Sequence, residues 1–144
     1  MDTSERGPRR TKVLFVCVGN SCRSQLAEAI ARHYASDVIE AESAGTSPFG
    51  SIAPPTLAVL QENGIRAEGH YSKGMDDVSE FFEPEIVVNI SGRTLDGMFP
   101  GAALMEWQID DPFGSEPQTY RRIYGQIEKR VSKLAAELRK KAKK

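Results

Sequence analysis

Four apolar residues, Val13, Leu14, Phe15 and Val16, run straight into the octapeptide Cys17-Val18-Gly19-Asn20-Ser21-Cys22-Arg23-Ser24. Beyond it Leu26, Ala27, Ile30, Ala31 and Tyr34 recur at helical spacing. A short β-branched and aromatic run reads as a buried strand over residues 12–18, and the recurrence reads as a helix over 23–35 with one apolar face. The octapeptide is thus a strand-to-helix loop, and it sets a site at the carboxyl end of a strand.

Residue types within the loop point to anion chemistry. The backbone N–H groups of Val18, Gly19, Asn20, Ser21, Cys22, Arg23 and Ser24, freed by a tight turn and a helix start, can converge on a tetrahedral anion such as phosphate. Arg23 offers planar paired donors to two oxygens of that anion, where a lysine would act as a point charge. Cys17 lies near both a helix start and an arginine, and both favour the nucleophilic thiolate. Gly19 allows close backbone approach or a positive φ, and Asn20 tolerates left-handed geometry. Ser24 can donate a hydrogen bond to the Cys17 sulfur. A cysteine in this setting reads as catalytic rather than as a small buried side chain. The loop is not of Walker type, since Gly-Lys-Ser/Thr is absent.

Downstream, residues 38–44 partly alternate and read as a second strand. Pro54-Pro55 suits the first turn of a helix carrying Leu57, Val59 and Leu60, stopped by Asn63-Gly64. Residues 65–77 are polar and turn-rich, with His70 expected at the surface or locally bonded. His33 is expected at the surface of the first helix. Residues 85–90 carry the strongest strand signal of the second half, 91–100 form a loop or short helix, and 103–107 form a weaker fourth strand. From Glu116 onward Tyr120, Ile123, Ile127, Val131, Leu134 and Leu138 recur every three or four residues, a long final helix. Strands alternating with helices predict an α/β fold: a three-layer α/β/α sandwich around a four-stranded parallel sheet.

Cleaving a phosphoester also needs an acid for the leaving oxygen. Ile109-Asp110-Asp111-Pro112-Phe113 offers two carboxylates, and the proline keeps Asp111 extended on a loop.

The length of 144 residues suits one domain over 12–144, preceded by a flexible tail over 1–11. No apolar run reaches membrane-span length and the charged N-terminus is no signal peptide, so a cytoplasmic protein is expected. Two cysteines suit a reducing compartment, and their Cys-x4-Cys spacing lacks zinc partners; no metal and no other cofactor is expected. Residues 121–144 carry ten Lys/Arg against two acids. That reads as the solvated end of a helix complementing its dipole, so neither nucleic acid nor membrane is expected as a partner.

The stretch Val-Leu-Phe-Val-Cys-Val-Gly-Asn-Ser-Cys-Arg-Ser-Gln-Leu-Ala-Glu-Ala resembles the N-terminus of low-molecular-weight protein tyrosine phosphatases and of the arsenate reductases that share their fold. The resemblance runs from about residue 12 to about residue 138. It implies Cys17 as nucleophile and Asp111, not Asp110, as general acid. It implies Ser43 as a support that bonds Asn20, alongside Ser24. It puts Phe113 on the substrate side, where the phosphatases usually carry tyrosine. It also implies a reversible Cys17–Cys22 disulfide, making Cys22 an inhibitory redox partner; a small buried side chain is the alternative.

The favoured reading is a monomeric, cysteine-dependent phosphatase that hydrolyses phosphotyrosine-type phosphomonoesters through a cysteinyl-phosphate. Its partner would be a phosphorylated protein or a small phosphoester. Gly-Asn-Ser-Cys-Arg-Ser-Gln, Tyr71-Ser72-Lys73 and Glu106-Trp107 look more like the thioredoxin-coupled arsenate reductases. Those carry two relay cysteines after the third strand, where this chain has Ser91 and Met98. An arsenate reductase drawing on an external thiol is therefore the alternative, with arsenate as the bound oxyanion. A non-catalytic phosphate-binding module is the third reading.

Overall fold

The computed structural model describes residues 10–67, 69–95 and 97–142. Most of the expected tail, residues 1–9, lies outside the described residues, and Thr11 already opens the first strand. In chain order the elements are β1 (Thr11–Cys17), α1 (Arg23–Tyr34), β2 (Ile39–Gly45), α2 (Pro54–Glu62), α3 (Met75–Ser79), β3 (Ile86–Asn89), β4 (Ala103–Glu106) and α4 (Pro117–Ala142). The four strands pair in parallel in the order β2-β1-β3-β4.

β1 is central and covered on both faces, which is why its sequence is an apolar run rather than an alternation. Successive side chains still point opposite ways. Val13, Phe15 and Cys17 enter the larger core with Leu26 and Ile30 of α1 and Ile123, Ile127 and Val131 of α4. Leu14 and Val16 enter the smaller core with Val78, Phe82 and Val87. Cys17 therefore leaves the sheet on the α1 side. The strand ends are level with it, since Cys17 pairs with Gly45 and Val16 with Asn89.

Several expectations need correction. α3 falls in the segment read as turns; Gly74 opens it, its amide donating to Asp77 Oδ2 at 3.0 Å, and Val78 anchors it in the smaller core. On α2 Leu57 is 41% exposed, while Thr56, Val59 and Leu60 are buried. The helix thus turns a different stripe inward from the one its leucines suggest. Tyr34 is half exposed at the last turn of α1, where His33 packs edge-on against it. All six apolar positions predicted for α4 are buried. Arg139 at its basic end pairs with Asp37 at 2.9 Å, and Arg121 near its start pairs with Glu62 at 2.8 Å, both at the surface. Such exposed pairs stabilise little. Among the described residues no helix is long and apolar enough to cross a membrane, and no side-chain cluster could hold a metal ion.

Candidate active site

The loop between β1 and α1 divides its backbone demands between two residues. Asn20 takes the positive φ, 47°. Gly19 answers a close approach instead: a Cβ there would fall 2.7 Å from the Phe49 ring. α1 begins at Arg23 with Cys22 as N-cap and no side chain capping it. The amides of a first helical turn have no partner inside the helix, so they stay available to a ligand.

Cys17 is 3% exposed, with Sγ 2.8 Å from Ser24 Oγ. Ser24 Oγ accepts from Asn20 Nδ2 at 2.8 Å, which leaves its own proton free to point at the sulfur. Asn20 Oδ1 in turn accepts from Gln25 Nε2 at 2.9 Å and from the Lys73 amide at 2.8 Å. Gln25 Nε2 also donates to the Tyr71 carbonyl at 2.9 Å. Cys17 thus ends a chain of hydrogen bonds reaching the segment before α3.

Ser43 does not bond Asn20. Its hydroxyl has one proton, and it donates to Glu28 Oε1, while the Asn20 amide is occupied by Ser24, Gln25 and Lys73. Glu28 is 1% exposed and lies among cations: Arg32 Nη2 at 2.9 Å and Lys73 Nζ at 3.6 Å. Lys73 Nζ, itself buried, also faces Glu42 at 3.4 Å and the Tyr71 ring centroid at 4.8 Å. Nor is His70 a surface or locally bonded residue. Its Nδ1 meets Gln25 Oε1 at 3.3 Å and its Nε2 stands 3.8 Å from Glu28. Burial pushes the His70 pKa down, with Glu28 opposing and Arg32 and Lys73 reinforcing the shift.

Arg23 is 7% exposed and is fixed from the sheet side, Nη1 donating to the carbonyls of Ile90 at 2.9 Å and Ile109 at 3.0 Å. Its Nη2 lies 3.7 Å from Asp111 Oδ2. The pocket above Cys17 is lined by Arg23, Cys22, Phe49, Asp111 and Phe113 among others, whereas Asp110 lines a separate crevice with Glu106. Asp111 Oδ1 accepts from the Phe113 amide at 3.1 Å, a local turn that aims the carboxylate. Phe113 and Phe49 meet edge-on, centroids 5.6 Å apart, and wall the mouth.

Cys22 behaves as a buried thiol. Burial pushes its pKa up to about 12, against a hydrogen bond with Thr56. It therefore stays protonated at neutral pH, where only a thiolate attacks. Both cysteines are free. α2 braces this side of the loop: Thr56 Oγ1 donates to the Ser21 carbonyl and the Ala53 amide to Ser21 Oγ, each at 3.0 Å. Val18 is braced by the segment after β2, its carbonyl accepting from the Ser47 amide at 2.8 Å.

Sequence reasoning passed over Phe49, Gln25, Glu28 and Lys73. Gln25 and Glu28 did carry a signal, being polar side chains within an otherwise apolar stretch of α1. Phe49 carried none, because its role comes only from the fold of its loop onto Gly19.

The model of the low molecular weight phosphotyrosine protein phosphatase family matches residues 12–144. A glutaredoxin arsenate reductase of Synechocystis is 33% identical over 132 residues, covering 88% of this chain and 98% of that protein. The structure of an arsenate reductase in the phosphate-binding state superposes with TM-score 0.80 at 30% identity, over 89% of this chain and 98% of that one. The YwlE arginine phosphatase from Geobacillus stearothermophilus superposes with TM-score 0.77 at 25% identity, over 91% and 94% of the two chains.

Proposed function

Because the chain belongs to the low molecular weight phosphotyrosine protein phosphatase family, we propose that it is a cysteine-dependent oxyanion enzyme that reduces arsenate with a thiol supplied from outside the chain. The likeness to arsenate reductases along nearly the whole length carries this reading. It displaces the preference for phosphatase chemistry that the missing relay cysteines had suggested. Arsenate shares the charge and shape of phosphate, so the loop amides and Arg23 suit either oxyanion. Cys17 attacks arsenic, an As–S bond forms, and an arsenic-bound oxygen leaves as water. An external thiolate then attacks the Cys17 sulfur. The new S–S bond forms as the S–As bond breaks, its electron pair goes to arsenic, and arsenite departs. A second external thiol displaces Cys17 from the mixed disulfide. Cys17 and Cys22 are the only cysteines in the sequence and Cys22 is buried within the loop, so in this reading both reductants come from elsewhere. A reducing, cytoplasmic setting suits a nucleophile that must stay reduced.

Phosphomonoester hydrolysis is the second reading, favoured by Asp111 beside Arg23 and by the paired phenylalanine walls. There Cys17 takes the phosphoryl group, Asp111 protonates the leaving oxygen, and water activated by Asp111 releases phosphate. Parallel assays on one sample decide between the two. Arsenite formation that depends on added thiol, with feeble p-nitrophenyl phosphate hydrolysis, supports reduction. Hydrolysis that falls steeply in Asp111→Asn, with no arsenite from any thiol, supports the phosphatase.

A further inference from the structure

The turn after β3 is locked from within. Asn89 is 1% exposed, and its Oδ1 accepts from the Ser91 amide at 3.0 Å and from Ser91 Oγ at 2.6 Å. Its Nδ2 donates to the Arg93 carbonyl at 2.7 Å, and the Arg93 amide donates to Ser91 Oγ at 3.0 Å. Gly92 supplies the positive φ, 75°, that closes the turn. Ser91 is therefore a structural pin, and the side chain presented by the turn is Arg93.

The strand order β2-β1-β3 gives that side chain its place. Arg93 follows β3, yet its Nη1 donates to Thr46 Oγ1 at 3.2 Å and to Ser47 Oγ at 3.1 Å, residues that follow β2. To reach them it spans the carboxyl end of β1, where Cys17 opens the nucleophile loop. Thr46 and Ser47 are anchored there too, their amides donating to the carbonyls of Cys17 at 3.0 Å and Val18 at 2.8 Å. Both hydroxyls are neutral. Among the described residues Arg93 has no carboxylate partner, and its exposed guanidinium stands beside the backbone where the loop begins.

We propose that Arg93 docks the reductant: a low-molecular-weight thiol carrying a carboxylate, which pairs with the guanidinium while its sulfur reaches Cys17. The inference rests on the arsenate-reduction reading. Arg23, whose Nη1 is fixed on the carbonyls of Ile90 and Ile109, serves the oxyanion, so a second, solvent-open arginine suits a second anionic group. Cys17 is nearly buried, and an incoming thiol gains from being held next to the loop before it attacks. A guanidinium–carboxylate pair is directional as well as attractive.

The test needs no arsenate. Reduced protein is reacted with glutathione disulfide, which is anionic, or with bis(2-hydroxyethyl) disulfide, which is neutral. In both, the Cys17 thiolate forms a mixed disulfide and expels one thiolate, and mass spectrometry with peptide mapping gives each rate constant. We expect the anionic-to-neutral ratio to fall about tenfold in Arg93→Gln and by clearly less in Arg93→Lys, which keeps the charge but loses the paired donors. An unchanged ratio in Arg93→Gln overturns the proposal. So does an equal fall in Arg93→Lys, which would mean that Arg93 only shapes the 46–47 segment. If wild-type protein makes no arsenite with any thiol while the ratio still falls in Arg93→Gln, the reduction reading fails and the anion dock stands.

Discussion

The two sides of the pocket are held to different standards. On the nucleophile side Cys17, Asn20, Arg23 and Ser24 are all buried, and the side chains of Asn20, Arg23 and Ser24 bond buried neighbours. On the acid side Asp111 is half exposed and Phe113 is 66% exposed, and the side chains meet the solvent even though local bonds (Phe113 amide to Asp111 Oδ1, Ser115 amide to the Pro112 carbonyl) shape the turn. The contrast suits what each side would do in the proposed chemistry. Oxyanion stabilisation acts through groups fixed before the charge develops, so rigidity is useful there. A proton donor must be recharged from water, so an exposed carboxylate on a lightly held loop suits that task.

Four experiments would break or sharpen this contrast. Cys17→Ser should cost on the order of 10⁴-fold or more in either reaction, since it removes the nucleophile. Residual turnover above that level in a steady-state assay would mean that the loop only binds. In Asp111→Asn, p-nitrophenyl phosphate hydrolysis should fall roughly 10²- to 10⁴-fold. The same variant's urea midpoint should move by no more than about 0.5 kcal/mol of stability. A large loss of stability would show that the acid loop is structurally committed after all.

Lys73→Met strikes the rigid side. It removes a buried partner of Glu28 and Glu42, and urea unfolding should report a loss of about 3 kcal/mol. A variant as stable as wild type would assign the support of the loop to Gln25 and Arg32 instead.

The smallest effect concerns His70. Its folded pKa is depressed, so below its ordinary value, about 6.5, the unfolded chain binds more protons than the fold. Stability should be fully present above pH 6.5 and decline as the pH falls through that value toward the lower folded pKa. In His70→Gln that part of the decline should vanish, read from urea midpoints at pH 7.5 and 5.5. An identical pH dependence in both proteins would place His70 in water.

Legibility followed the same division. The loop, the strand before it and the helix after it could be read because each is a contiguous pattern with its own period. The α4 face was legible for the same reason. What escaped depends on distant segments meeting. The family resemblance pairs Ser43 with Asn20, yet Glu28, fifteen residues before it in the chain, takes its proton. His70 and Lys73 sit in a segment of turn-like composition, and only its packing on α1 makes them buried. Leu57 and Tyr34 failed because helical spacing allows more than one inward stripe, and tertiary contacts choose among them.

The uncapped start of α1 has a thermodynamic consequence. Helix donors that no side chain satisfies are satisfied when an oxyanion enters, so the folded chain and the ligand stabilise one another. At a hundred times its dissociation constant such a ligand adds about 2.7 kcal/mol to stability. If the loop takes an oxyanion as proposed, the melting temperature of this protein should depend on its buffer. Phosphate, sulfate and arsenate can be ranked by thermal shift alone, before any turnover is measured.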